Sequence, residues 1–138
     1  MCGIVGLYFK KKKLHNQLGR YLSGMLDNMS SRGPDSAGFA IYNNDSKKIF
    51  KYSLCIDDKL IAKNFEIDLK KKFKDVNIKT LSDHFILQTS STPRVIIPFI
   101  KKFYESVLIV GYGKSIEIFK QVGNPKEIVK KFNLKSFS

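Results

Sequence analysis

The apolar positions of the chain change rhythm several times, and each change predicts an element. Gly3 to Phe9 is a short apolar run with β-branched Ile4 and Val5, which predicts a buried strand; Gly3 and Gly6 leave room for close backbone approach, and the lysine run Lys10-Lys11-Lys12-Lys13 ends it. From Leu14 the apolar residues Leu14, Leu18, Tyr21, Leu22, Met25, Leu26 and Met29 return at the spacing of one face of a helix packed on a core. Ser30 to Pro34 stops that helix. Gly33-Pro34 forces a turn, Asp35 and Ser36 offer side-chain oxygens to nearby backbone, and Gly38-Phe39-Ala40-Ile41-Tyr42 predicts a second core strand. Asn43-Asn44-Asp45-Ser46 is a polar turn.

Beyond that turn, Phe50, Tyr52, Leu54 and Ile56 alternate with polar positions as in a half-buried strand, and Asp57 or Asp58 can cap a following helix. Phe85-Ile86-Leu87 predicts another strand. Thr92-Pro93 suits the cap and first position of a helix through Tyr104, with Ile96, Ile97, Ile100 and Phe103 on one side and Pro98 inside it. Val107-Leu108-Ile109-Val110 reads as a late strand. Asn124-Pro125-Lys126-Glu127 combines a cap residue, a first-turn proline and a glutamate three after the cap, so a short last helix is expected to about Phe132.

A length of 138 residues allows one ordinary domain with a core, and 43% hydrophobic content supports a globular chain. No apolar run is long enough to span a membrane, and the N-terminus lacks a secretory pattern, so the expected location is cytoplasmic, where Cys2 and Cys55 remain thiols. Cys55 reads as a buried strand residue. The formal charge of +13 raises the question of nucleic acid, but nearly all of it is lysine: only Arg20, Arg32 and Arg94 could make bidentate contacts, and no nucleic-acid motif is present. The short runs Lys10–Lys13 and Lys70–Lys72 read as solvated faces. Nucleic-acid binding therefore ranks well behind the chemistry that follows.

Met1-Cys2-Gly3-Ile4-Val5-Gly6 places a thiol at the penultimate position. Removal of Met1 would give Cys2 both a nucleophilic sulfur and a free α-amino group with an ordinary pKa of roughly 7.7 to 8.0, a nucleophile with its own base. The bland reading of such a cysteine is a small buried hydrophobe. The second motif, Ser31-Arg32-Gly33-Pro34-Asp35-Ser36-Ala37-Gly38, changes that ranking. In this order the two motifs make the chain resemble the class II glutamine amidotransferases, which are N-terminal nucleophile enzymes. Ser82-Asp83-His84 and the run from Gly113 to Gly123 resemble the glutamate synthase-related branch, which includes the amidotransferase subunit of N-methylglutamate synthase.

The resemblance implies an α+β chain forming the N-terminal portion of a four-layer αββα fold. The change of pattern along the chain divides it into a strand–helix–strand core over 1–46, an inserted α/β segment of split βαβ type over 47–111 that could dock partners, and a return strand with a short helix over 112–138. The resemblance implies that Cys2 attacks the side-chain amide of glutamine, forms a glutamyl thioester and releases ammonia to a synthase partner. Arg32, matched to the family motif, would support the substrate pocket; pairing with Asp35 or with helix carbonyls is an equal alternative. Gly33, Pro34 and Gly38 serve backbone shape, and Asp35 holds the turn. The family's arginine for the glutamine α-carboxylate, its oxyanion-hole Asn-Gly pair and its aspartate for the α-amino group have no counterparts in these 138 residues. The expected partner is accordingly a synthase subunit or the remainder of the amidotransferase domain. A noncatalytic binding or regulatory module derived from the same fold is the alternative.

No cofactor is expected in this chain, any flavin belonging to the synthase partner. His15 and His84 read as ordinary surface or packed residues, and no linear cluster of histidine, cysteine and carboxylate predicts a metal. Gly111-Tyr112-Gly113-Lys114-Ser115 fails as a phosphate loop because Leu108 stands where the first glycine is required; a tight turn accounts for it.

Overall fold

A computed structural model describes residues 3–32, 34–42 and 48–138. It is an α+β structure of four α-helices and six strands among the described residues, divided into a unit of Met1–Gly38 with Lys120–Ser138 and a unit of Phe39–Phe119. Strands β1 (Ser36–Tyr42) and β6 (Ile116–Val122) pair with each other, and each contributes residues to both units.

In the first unit, helix α1 (Leu18–Asn28) packs with α4 (Pro125–Lys131) and a C-terminal 3-10 turn at Leu134–Ser136. Leu22, Leu26, Ile128, Phe132 and Leu134 are buried there. The predicted helix begins later than its apolar spacing implies, because Lys12–Gln17 forms a 3-10 turn. Gln17 supplies no side-chain cap and the first turn of α1 holds no acid, while the lysine run lies at the end where the helix dipole disfavours cations. Helix α4 starts as predicted. Asn124 accepts from the Lys126 N–H at 3.0 Å, and Glu127 reaches back to the Asn124 N–H at 3.2 Å.

Gly3 to Phe9 does not form the predicted strand. The segment has no strand hydrogen-bonding partner among the described residues, and Ile4 and Tyr8 are 96% and 83% exposed. An apolar run becomes a strand only when a neighbouring ladder satisfies its backbone. Here Phe9 instead packs edge-on against Tyr21, with ring centroids 5.7 Å apart. The polar turn expected at 43–46 lies outside the described residues.

The second unit carries the order β2 (Phe50–Cys55), α2 (Lys59–Lys72), β3 (Asn77–Leu81), β4 (His84–Thr89), α3 (Pro93–Phe103) and β5 (Leu108–Gly113). Its sheet runs β3-β4-β2-β5, with antiparallel neighbours throughout. This is the split βαβ arrangement, in which each helix returns the chain across one sheet face. Asp58 caps α2 by accepting from the N–H groups of Leu60 and Ile61 at 2.7 and 2.9 Å. Lys70, Lys71 and Lys72 fill its last turn, where cations complement the helix dipole, and Lys72 lies over the ring of Phe99. Phe65, Leu69, Ile96 and Ile100 from the two helices join Tyr52, Leu54, Phe85 and Leu87 from the sheet in one core.

The alternation in β2 predicts one solvated face, but both faces are buried. Lys51 and Ser53 lie on the second face beneath residues of β6: the Lys51 ammonium meets Glu117 at 2.8 Å, and the Ser53 hydroxyl accepts from the Ile118 N–H at 2.8 Å. Gly111, opposite Ser53 in the ladder, leaves the space that Ile118 occupies; a Cβ there would lie 2.6 Å from Ile118 Cδ1. Phe119 on β6 stacks on Phe39 of β1 at 4.9 Å and faces the His84 ring at 6.0 Å.

Breaking the Lys51–Glu117 pair from one side takes a 2.8 Å charged contact away from a buried group. Lys51→Met is expected to lower unfolding free energy by about 3–5 kcal/mol, and Lys51→Met with Glu117→Leu to recover most of that loss, as read by urea denaturation. Gly19 and Gly24 separate propensity from packing within one helix. A Cβ on Gly19 would meet the Leu134 carbonyl oxygen at 2.0 Å, whereas nothing lies within 4 Å of one on Gly24. Gly24→Ala should stabilise by about 1 kcal/mol through helix propensity, and Gly19→Ala should destabilise by about 1–3 kcal/mol despite the same propensity gain.

Two phenols report the helix-covered core. Burial pushes the Tyr52 hydroxyl up to about 12, with Tyr112 nearby adding to the effect, while it donates to the Ser91 carbonyl at 2.7 Å. Tyr104 is likewise pushed up to about 12 by burial, then by its hydrogen bond to Asp68 and that residue's charge. The folded state thus holds these protons while the unfolded chain releases them near pH 10, so this stabilisation is intact below pH 10 and is lost as pH rises toward 12. Ultraviolet phenolate titration should show a late phase that shrinks in Tyr52→Phe and Tyr104→Phe.

Candidate functional site

The predicted nucleophile Cys2, with Met1 and Gly33, lies outside the described residues. Its neighbour Gly3 is described, and it joins the two sequence motifs. A Cβ on Gly3 would lie 2.1 Å from Met29 Cε and 3.4 Å from Arg32 Cδ, so the residue after Cys2 packs against the turn that ends α1 and against the stem of Arg32. The absent side chain matters here because any larger residue would have to displace Met29. The Arg32 N–H closes that turn on the Met29 carbonyl at 2.9 Å. Arg32 itself is exposed, and no ion pair joins it to Asp35 among the described residues. The Asp35 carbonyl accepts from the Gly123 N–H at 2.9 Å, which ties the segment before β1 to the residue after β6.

The same stretch holds two buried oxygens, Asp27 Oδ1 and Ser30 Oγ, that find no hydrogen-bond partner among the described residues. Buried acceptors of this kind suit an amine or guanidinium donor. His15 is exposed, with Nε2 3.3 Å from the Phe9 carbonyl.

A second constellation, which linear spacing does not reveal, forms where β2 ends beside the β3–β4 turn. Cys55 and His84 are cross-strand partners, so their side chains share a face, and Asp83 enters from the two-residue turn Ser82-Asp83. His84 is fully buried and Cys55 and Asp83 half-buried. His84 Nδ1 is 2.9 Å from Asp83 Oδ1, and the candidate donor atoms of the three residues all lie within 4.8 Å of one another. The cysteine is thus a strand residue as expected, but at a half-buried strand end. The adjacent Asp83-His84 pair was the local signal; the third member arrives only through strand pairing.

A recess of about 520 Å³ between α2 and the end of α3 is lined by Ile61, Asn64, Phe103, Tyr104, Glu105 and Ser106, and carries no cysteine, histidine or cation. The turn Lys114-Ser115 joins β5 to β6 with no helix following, in keeping with a tight turn and not a phosphate loop. No helix among the described residues is long and apolar enough to cross a membrane.

No family model matches the chain, and no solved structure matches it. Among curated proteins it is 36% identical, over 99% of its own length and 46% of the relative's, to the glutamine amidotransferase-like protein GlxB of Rhizobium meliloti. It is also 31% identical, over 96% of its length and 47% of the relative's, to a putative glutamine amidotransferase of Methanothermobacter thermautotrophicus. The chain spans about half the length of the curated relatives it matches. Both similarities run along nearly the whole of this chain, and both relatives carry glutamine amidotransferase names.

Proposed function

We propose that this chain carries the nucleophile-bearing part of a class II glutamine amidotransferase of the N-terminal nucleophile type, in the glutamate synthase-related branch. The observation that carries the reading is the similarity to two amidotransferase-named relatives over 96–99% of the chain, beside the Cys2 and Arg32 motifs of the sequence. The packing of Gly3 on the Arg32 stem supports it, because it sets the segment that bears the nucleophile beside the second motif.

In this reading Met1 is removed and the freed α-amine of Cys2 takes the thiol proton. The thiolate attacks the side-chain amide carbon of glutamine, giving a tetrahedral oxyanion. Return of the proton to the amide nitrogen lets the carbon–nitrogen bond break and ammonia leave, with the glutamyl group held as a thioester. Water, deprotonated by the same amine, cleaves the thioester to glutamate and restores the thiol. Arg32, exposed and without an ion pair to Asp35, serves the substrate end of this pocket. Oxyanion donors and the grip on the glutamine α-carboxylate and α-amine come from residues other than the two motifs, and each oxyanion donor is worth about a hundred- to thousandfold in turnover. The ammonia passes to a synthase-like partner, and any flavin chemistry resides there.

Intact-mass measurement with a glutamine-like diazo-ketone, on the chain alone and with candidate partner chains, tests the reading. Loss of Met1 and one adduct that maps to Cys2, abolished in Cys2→Ala while Cys55 remains, is the expected result. Retained Met1, or no Cys2 adduct in any preparation, would overturn the catalytic reading and leave a noncatalytic relative of the fold.

A further inference from the structure

We propose that Cys55, Asp83 and His84 form a binding site for one zinc-type divalent transition-metal ion, separate in its residues from the Cys2 chemistry. The donor set carries the choice of metal. A thiolate sulfur, an imidazole nitrogen and a carboxylate oxygen together suit zinc and cobalt, whereas calcium and magnesium take oxygen ligands.

The fold brings these donors together from three places. Cys55 is the last residue of β2, His84 the first of β4 and Asp83 the last of the turn before it; the Cys55–His84 pairing sets the first two on one face of the ladder. The Ile56 N–H donates to the Asp83 carbonyl at 2.9 Å, which ties that turn to the end of β2. Ser82 turns the chain with φ of 59°, in the left-handed region that non-glycine residues seldom occupy. The His84 ring is fully buried and lies against Phe119, so the ligand orientation is set before a metal arrives.

The donor separations lie close to those of a tetrahedral site. Tetrahedral coordination with bonds of roughly 2.0–2.3 Å places donors roughly 3.3–3.8 Å apart. His84 Nδ1 and Asp83 Oδ1 are closer than that, at 2.9 Å, and the whole set lies within 4.8 Å, a span that rotation of half-buried Cys55 and Asp83 closes. Asp57 Oδ1, 3.8 Å from the Cys55 sulfur, is a nearby candidate for a fourth ligand. Binding requires the thiol to give up its proton to solvent and the proton between His84 Nδ1 and Asp83 to leave Nδ1, the neutral ring keeping its proton on Nε2, and the ion then spans β2 and the β3–β4 hairpin.

Cobalt(II) and zinc titrations of the full chain test the proposal, with Cys2→Ala included because an N-terminal thiol and amine can themselves chelate. Wild type and Cys2→Ala should each take up one cobalt with a thiolate-to-cobalt charge-transfer band, and zinc should raise the Tm of both. Cys55→Ser should lose the band and the Tm shift while melting like wild type without metal. Asp83→Asn, which spares the sulfur and the buried ring, should weaken uptake about tenfold or more. A band that survives Cys55→Ser and vanishes in Cys2→Ala would overturn the proposal, as would no stoichiometric uptake by wild type. Neither result bears on glutamine turnover, which the diazo-ketone experiment reads separately.

Discussion

A lysine and a glutamate buried against each other decide how the sheet of the second unit is covered. Strand β2 is the central neighbour of both β4 and β5, and it is enclosed on both faces. One face is apolar and meets α2 and α3. The other bears Lys51 and Ser53, and burying them is tolerable only because β6 supplies Glu117 to the ammonium and the Ile118 N–H to the hydroxyl. The glycines of β5 fit the same constraint: Gly111 and Gly113 give up side-chain volume where Ile118 and Ile116 come down, and Tyr112 between them turns to the ring of Tyr52. What resembles a phosphate-binding Gly-x-Gly-Lys-Ser sequence is therefore clearance for a second layer.

Local chemistry was legible in the sequence wherever an element is set by its own residues. The Asn124–Glu127 capping box and the Asp58 cap stand where side-chain chemistry places them, and α3 starts at Pro93 with Thr92 in the cap position but making no side-chain cap bond. Local residues do not decide an element whose outcome depends on a distant partner. Gly3–Phe9 has the composition of a strand, yet backbone pairing is a property of two segments, and none is available to it among the described residues. Strand β3, with its largely exposed pattern, carries too little apolar signal to be singled out, and it exists because β4 pairs with it. Burial of Lys51 was likewise unreadable, since its counterion is 66 residues away.

The same distinction separates the two groups of chemically interesting residues. Cys2 and Arg32 stand out as motifs, and their significance comes from resemblance and from the two relatives; the structure adds that Gly3 rests on Arg32. Cys55 lies outside the Ser82-Asp83-His84 stretch, and no linear motif joins it to Asp83 and His84. Their convergence follows from antiparallel register alone, because Cys55 opposite His84 is one consequence of the ladder that also sets Leu54 opposite Phe85 in the apolar core. A one-residue slip would send Cys55 to the other face and bring the core with it.

Lys51 and Gly113 are register partners at opposite ends of the βαββαβ segment, so more than sixty residues of chain leave and return through a doorway one strand-spacing wide. A segment with adjoining ends behaves like a cassette: it can be lengthened, trimmed or replaced over generations while the flanking strands keep their own pairing. Only the few positions that meet β6 (Lys51, Ser53 and Gly111 among them) are held to a fixed chemistry by the strand they receive.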